Sequence, residues 1–403
     1  MSTSDTMQNL RAAQKSDIQV SGHDCKGGLM AHDQMAHGPE LYRSVLRLFA
    51  EDKLNNEGIA KHLDIGTRHV TPLLHEATAW LLAENQRLRR TVAPTRDRSD
   101  LEQKLLKKYP HLKDVYVVTG KEITQAHEYD ALLNRWAAMA ADYLDRRVDH
   151  AAAAGKELHI CMSGGETIFE VVNNLPIKNR EHVFYYASAL IGRYHMVDTS
   201  HVDAIANVQV AWSRSGRRQG RCIYATVTPY DLSGSGKSYE ERRRMVMEEI
   251  NSLSENPLIR QSLGDLDRMD IAIVGLGMVT EPANDKLRGV RFSATSLLRS
   301  TAHIVAEDLL NDGAQGEIGY CYFDAEGAGN NDKWHFYLTA GDQRKDDARR
   351  GVGFYRDMVT KKRDVLVIAG AFKEPAIIAA LKGKLFNIWF TNEAAALTVL
   401  EAE

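Results

Sequence analysis

Several short runs of small residues carry groups on which binding chemistry can be built. In Met162-Ser163-Gly164-Gly165-Glu166-Thr167, two glycines stand between two hydroxyl residues. The run follows an apolar stretch and precedes Ile168, Phe169, Val171 and Val172 at helical spacing. Glycines let a backbone approach a ligand closely, and a helix start offers unpaired N–H groups at a positive dipole end. With the Ser163 and Thr167 hydroxyls added, the run suits a phosphate, although the carboxylate of Glu166 opposes one. A plain strand-to-helix turn has the same composition, so the run alone leaves both readings open.

Further runs share this character. Val274-Gly275-Leu276-Gly277 comes at the end of an apolar stretch. In Gly313-Ala314-Gln315-Gly316-Glu317-Ile318, Glu317 offers an acceptor for sugar hydroxyls. Ala369-Gly370-Ala371-Phe372-Lys373 ends on a cation suited to a phosphate. Each run is bland alone, but convergence of several strand-end loops in one sheet is what a polar small-ligand site requires. Gly234-Ser235-Gly236-Lys237-Ser238 imitates the tail of a nucleotide-binding P-loop, but Asp231 stands where that pattern needs its first glycine. The sequence holds neither a Gly-x-Ser-x-Gly elbow nor a His-Glu-x-x-His pair.

A second kind of chemistry is written nearer the start. Asn55 and Asn56 cap a short helix carrying Ile59, Ala60 and Leu63, and Asp64-Ile65-Gly66 reads as a tight turn. A further helix follows with Val70, Leu73, Leu74 and Ala77 on one face. Two short helices joined by a glycine-containing turn form the helix-turn-helix pattern. Its second helix then presents Thr67, Arg68, His69 and Thr71 at the end that reaches base edges in a major groove. Arg68 suits guanine or a phosphate, and the two threonines suit phosphate oxygens. Residues 41–98 hold ten Lys/Arg against seven Asp/Glu, a mildly basic balance. Pro72 runs against this reading, because inside a helix it removes a hydrogen bond and kinks the axis.

The elements that position these groups follow from periodicity. Residues 1–38 are polar and without apolar period, and are read as a disordered tail despite the scattered His23, His32 and His37. Residues 39–92 form the helix-turn-helix domain, 93–100 a linker around Pro94, and 101–403 a larger second domain. In the last, apolar runs at 115–118, 158–162, 223–227, 271–274, 365–368 and 385–390 alternate with helical segments. Continuously apolar strands separated by helices predict a parallel sheet covered on both faces, an α/β doubly wound fold.

At 403 residues the chain is too long for one ordinary domain. Its 44% hydrophobic and 26% charged residues exclude collagen-like, disulfide-scaffold and wholly disordered classes. No membrane-length apolar stretch and no signal-peptide core are present. Cys25, Cys161, Cys222 and Cys321 are far apart and form no Cys-x-x-Cys pair, which fits a reducing cytoplasm and argues against structural zinc.

The order of motifs from Leu41 onward resembles the SorC-type bacterial transcriptional regulators, relatives of the central glycolytic gene and deoxyribonucleoside regulators. The resemblance rests on Leu101-Glu102, Gly164-Gly165-Glu166-Thr167, Asp270 through Gly277, and Gly313 through Ile318. It continues in Phe323-Asp324-Ala325-Glu326-Gly327, Ala369-Gly370 with Lys373, and Thr391-Asn392-Glu393-Ala394. It implies a helix-turn-helix reader joined to a Rossmann-like effector domain related to sugar-phosphate isomerases. It further implies a tetramer that changes its grip on operator DNA when a phosphorylated sugar binds. On that resemblance Gly164, Gly165 and Thr167 hold the phosphate, Glu317 faces sugar hydroxyls, and Lys373 completes the anion site. The segment Ala187–Gly192 departs from the arginine-glycine-glycine stretch of several members, and Arg193 lies beside it. Ser163, Arg193, Gly275 and Gly277 join the candidate set.

The expectation is a DNA-binding transcriptional regulator, not an enzyme, controlled by a small sugar or sugar phosphate. It needs no cofactor and no metal, and works as a cytoplasmic homo-oligomer, a dimer or tetramer. The alternative is a sugar-phosphate isomerase or deaminase with an appended helical domain, for which no convincing acid/base pair stands out.

Overall fold

The computed structural model describes residues 39–50, 54–77, 80, 98–119, 126–177, 180–190, 208, 210–211, 236–279, 298, 302–340, 342, 350–370 and 372–402. The tail at 1–38, the apolar run at 223–227, most of the linker, Arg193, Cys25 and Cys222 lie outside the described residues. The chain divides into two compact units, Met1–Arg89 and Arg90–Glu403.

Among its described residues the first unit packs three helices. Helix α1 spans Pro39–Ala50 and α2 spans Asn56–Leu63. The Asn55 side chain caps α2 by accepting the Gly58 N–H at 2.9 Å. Asp64 ends α2 in the left-handed region at φ 53°, which turns the chain within one residue. A 3-10 turn, Thr67–His69, opens the next helix (α3), which is helical from 70 to 77. Val45, Leu48, Ile59, Ala60, Val70, Leu73 and Ala77 make the buried core.

The expected damage from Pro72 does not arise. The 3-10 turn moves the α-helical start to residue 70, so Pro72 falls in the first α-helical turn. Proline is tolerated in the first turn of an α-helix, where its fixed φ suits the helix and its missing N–H costs little.

Among the described residues, the second unit is built on six parallel strands in the order β1-β10-β9-β5-β2-β3. They are β1 Asp114–Val118, β2 Leu158–Met162, β3 Val183–Ala187, β5 Ile271–Met278, β9 Asp364–Ile368 and β10 Ile388–Asn392. Two short antiparallel strands, β6 Gly316–Ile318 and β7 Cys321–Phe323, extend from the far end of β5. A separate pair joins β4, Ala189–Leu190, to β8, Leu338–Thr339.

Helices cover both faces of the sheet. Val115, Val117, Ala272, Val274, Val365, Val367 and Trp389 pack with residues of α4 (Ser99–Lys108), α11 (Val352–Thr360), α12 (Glu374–Lys382) and α13 (Glu393–Glu401). Their neighbours Tyr116, Val118, Ile271, Ile273, Leu366, Ile368, Ile388 and Phe390 pack on the other side. There they meet α5 (Ala126–Ala153) and α6 (Glu166–Asn174). Both alternating sets are buried, which is why these strands read as continuous apolar runs. The remaining helices are α7 (Tyr239–Ser254), α8 (Pro257–Gly264), α9 (Ala306–Asn311) and α10 (Asn331–Trp334).

Several readings shift. Ser99 and Asp100, placed in the linker, already belong to α4. The run at 385–390 enters its strand only at Ile388. Leu385 and Phe386 are apolar because they fill the core ahead of the strand. Asn387 breaks the run: its Oδ1 accepts the Val365 N–H at 2.8 Å and its Nδ2 donates to the Arg363 carbonyl at 2.7 Å. Cys161 and Cys321 are buried thiols, and burial pushes the Cys161 thiol up to about 12.

The amino-terminal rim of the sheet is pinned by charge. Asp364 is fully buried. It takes Lys113 Nζ at 2.5 Å, Arg147 Nε at 2.8 Å and the Tyr143 hydroxyl at 2.9 Å. Asp270 accepts the His159 N–H at 2.9 Å, tying β5 to β2. Removing one member of a buried charge cluster leaves its partners uncompensated. Asp364→Ala is expected to lower unfolding free energy by about 3 kcal/mol, seen as a lower urea midpoint of the full chain; an unchanged midpoint would contradict this role.

Candidate functional site

The chain leaves β2 toward β3 on one side and leaves β5 toward β9 on the other. Adjacent parallel strands whose connections diverge open a crevice beyond their carboxyl ends, where open α/β sheets bind ligands. The first two small-residue runs meet there. Ser163 N–H donates to the Ile273 carbonyl at 2.9 Å. Its hydroxyl accepts the Gly275 N–H at 2.9 Å and donates to the Gly164 carbonyl at 3.1 Å. Ser163 is 1% exposed. Its hydroxyl therefore stitches two strand ends together at the crevice.

Gly164 is buried and Gly165 half-buried. Gly165 is the residue before α6 and holds φ 102°, a conformation that disfavours any side chain. It gives the helix start no side-chain cap, so the first N–H groups of α6 remain for other acceptors. Thr167 is half-buried in the first turn. Glu166 is exposed in that turn, where the helix dipole favours a carboxylate.

Gly275 and Gly277 lie within β5, not after it, and the run from Gly313 follows a helix and becomes β6 at Gly316. The reason is a change of partner. Through Gly275, β5 pairs with β9; from Leu276 onward it pairs with β6. This register sets Gly277 opposite Glu317. A Cβ at 277 would collide with the Glu317 carboxylate, so glycine is what lets the acid fold over the strand. Glu317 Oε2 accepts the Tyr320 N–H at 3.0 Å. Burial pushes the Glu317 carboxyl up to about 7, offset in part by that N–H and by the Lys373 ammonium.

Lys373 arrives from the loop after β9, immediately before α12. Its Nζ donates to the Leu276 carbonyl at 2.7 Å, one residue from Gly277. The structure thus gathers Ser163, Gly164, Gly165, Thr167, Gly275, Gly277, Glu317 and Lys373 at one end of the sheet. Arg193 lies outside the described residues. Two contributors were not read from the sequence. Tyr320 supplies its backbone to Glu317, which side-chain identity does not reveal. Ser188 follows β3, with its N–H on the Met162 carbonyl at 2.8 Å and its own carbonyl accepting the Ala340 N–H at 2.9 Å. Recognising 183–187 as a strand would have exposed it.

In the first unit, Thr67, Arg68, His69 and Thr71 are all exposed at the start of α3. Arg68 Nε donates to His69 Nε2 at 3.1 Å, and Thr71 Oγ1 accepts the Asn56 amide at 3.1 Å.

Residues 245–401 match the Sugar-bind family, a sugar-binding domain. The full-length sorbitol operon regulator SorC from Klebsiella pneumoniae superimposes with a TM-score of 0.53 at 18% identity, over 90% of this chain and 99% of that one. The fold is that of the SorC-type regulators. A DeoR-family transcriptional regulator from Listeria monocytogenes gives 0.53 at 20% identity, over 75% of this chain and 98% of that chain. A transcriptional regulator from Streptococcus pneumoniae gives 0.53 at 16%, over 76% and 97%. Among curated proteins nothing matches. No helix among the described residues is long and apolar enough to cross a membrane.

The raised Glu317 carboxyl has a thermodynamic consequence. Unfolded, it titrates near the ordinary glutamate value; folded, near about 7. Between these values the folded chain holds a proton that the unfolded chain has lost, so stability falls as pH rises through the window. Glu317→Gln removes this slope. Thermal midpoints of variant and wild type should therefore diverge in the variant's favour from mildly acidic pH to about pH 7; parallel curves would contradict the buried carboxyl.

Proposed function

We propose that the protein is a DNA-binding transcriptional regulator whose grip on operator DNA is set by a small sugar or sugar-phosphate effector. Residues 39–92 are the reader, 93–100 the linker, and 101–403 the effector-binding and oligomerisation domain. The observation that carries this reading is the meeting of Gly164, Gly165, Thr167, Gly275, Gly277, Glu317 and Lys373 at the crevice between β2 and β5. A match to a sugar-binding domain covers most of the second half of that unit.

Each group has a distinct task. The helix start behind Gly165, with Thr167, receives an anionic or hydroxyl-rich end of the effector. Glu317 accepts sugar hydroxyls, and Lys373 balances its charge or an effector phosphate; Arg193 supplies a further cation. Ser163 ties the two strand ends together. Binding accounts for Glu317 and Lys373 without any turnover, and the solved neighbours are described as regulators, which favours a sensor over the isomerase or deaminase alternative. Thr67, Arg68, His69 and Thr71 contact operator DNA. The protein works in the cytoplasm as a homo-oligomer, a dimer or tetramer, whose two-fold symmetry presents paired readers to paired half-sites. An effector shifts operator affinity only through unequal affinity for the two states of that oligomer.

A thermal-shift screen of sugars and sugar phosphates should give selective stabilisation that Lys373→Ala abolishes, because a ligand of the folded state raises the midpoint. Hits confined to unphosphorylated polyols would assign Glu166 the exclusion of phosphate. No stabilisation by any member would refute the effector reading. In fluorescence titration with promoter DNA, Arg68→Ala should weaken binding by ~1–3 kcal/mol, and an unchanged affinity and salt slope would remove Arg68 from the reader.

A further inference from the structure

The hydrogen bond between Asn56 and Thr71 joins the first residue of α2 to the opening turn of α3 across 15 residues of sequence. Its polarity is fixed by chemistry. The Asn56 amide nitrogen can only donate, so Thr71 Oγ1 accepts at 3.1 Å. A hydroxyl has a single proton, and with the Asn56 amide donating to it, Thr71 has that proton to give. Both residues are exposed. Pro72 comes next in the sequence and is also exposed. The exposed start of α3 thus carries a hydroxyl and, one residue on, an apolar ring.

In the major groove, thymine shows an O4 acceptor beside a C5-methyl group. Cytosine shows an amino donor at the equivalent place and no methyl. We propose that Thr71 and Pro72 together recognise a thymine edge, and that Asn56 is a positioning residue that keeps the Thr71 hydroxyl a donor. This rests on the reading of the first unit as the DNA-binding domain. It changes the account of two residues: Thr71 becomes a reader of bases instead of a phosphate contact, and Pro72 becomes part of the reading surface.

The test uses the full chain and a duplex selected by the wild-type protein from a random-sequence pool. A thymine position enriched in that duplex is then replaced by uracil, which lacks the methyl, and by 5-methylcytosine, which keeps the methyl but replaces the acceptor with a donor. Wild type should lose about threefold with uracil and about tenfold with 5-methylcytosine. Asn56→Ala and Thr71→Val should collapse the second ratio toward one and leave the uracil ratio in place. Pro72→Ala should do the reverse. Asn55 keeps its cap in every variant, and an unchanged thermal midpoint checks that the fold is intact.

If Asn56→Ala weakens binding equally to all three duplexes, or not at all, Asn56 does not position the reader and the inference falls while DNA binding stands. Enrichment of no thymine position sensitive to these variants has the same meaning. If the wild-type chain selects no sequence from the pool, the DNA-binding reading falls, and this inference with it.

Discussion

The Ser163 hydroxyl sits between two strands that the chain leaves in opposite directions, accepting the Gly275 N–H and donating to the Gly164 carbonyl. Parallel strands diverge beyond their last shared hydrogen bond, and a crevice opens there whether or not it is useful. The serine brings the backbone of Gly164 and Gly165 to a fixed distance from β5, and the register of β5 then dictates where Gly277, and hence Glu317, must lie. Lys373 reaches the same strand through the Leu276 carbonyl. Glu317 and Lys373 are thus referred to β5, and beyond the last shared strand pair β5 is tied to β2 by the backbone and hydroxyl of Ser163.

This dependence explains what the sequence reveals and what it hides. Runs such as 271–274 and 365–368 are legible because both faces of their strands are covered, and apolar side chains occupy every position. The strand at 183–187 escapes notice because it lies at the edge of the sheet among the described residues, where Phe184 and Tyr186 are half-exposed and flank His159 through ring stacking. At three residues, β6 is too short to show any period. The residue types of the site are legible for a similar reason: glycines after apolar runs mark close backbone approach. Their geometry is not. The sequence does not show that Ser163 meets Gly275, 112 residues away, and nothing near Gly277 announces that a carboxylate will lie across it.

Pro72 illustrates the same limit in the first unit. Judged by helical periodicity it is an intruder, because the period does not disclose where the α-helix begins. The 3-10 turn at Thr67–His69 settles the matter by starting the helix one turn later. A local hydrogen-bond pattern, invisible in composition, decides whether a residue is a defect or part of a surface.

The charged cluster beneath the sheet carries a consequence for how the large unit can respond to anything that occupies its upper end. Asp364, with Lys113, Arg147 and Tyr143, and Asp270, with His159, rivet the lower margin of β1, α5, β9, β5 and β2 into a single piece. Strands anchored at one margin cannot slide past one another; they can only splay, like fingers joined at the palm. Any accommodation of a guest is therefore angular, smallest near the rivets and growing toward the tips where Gly165, Glu317 and Lys373 reside.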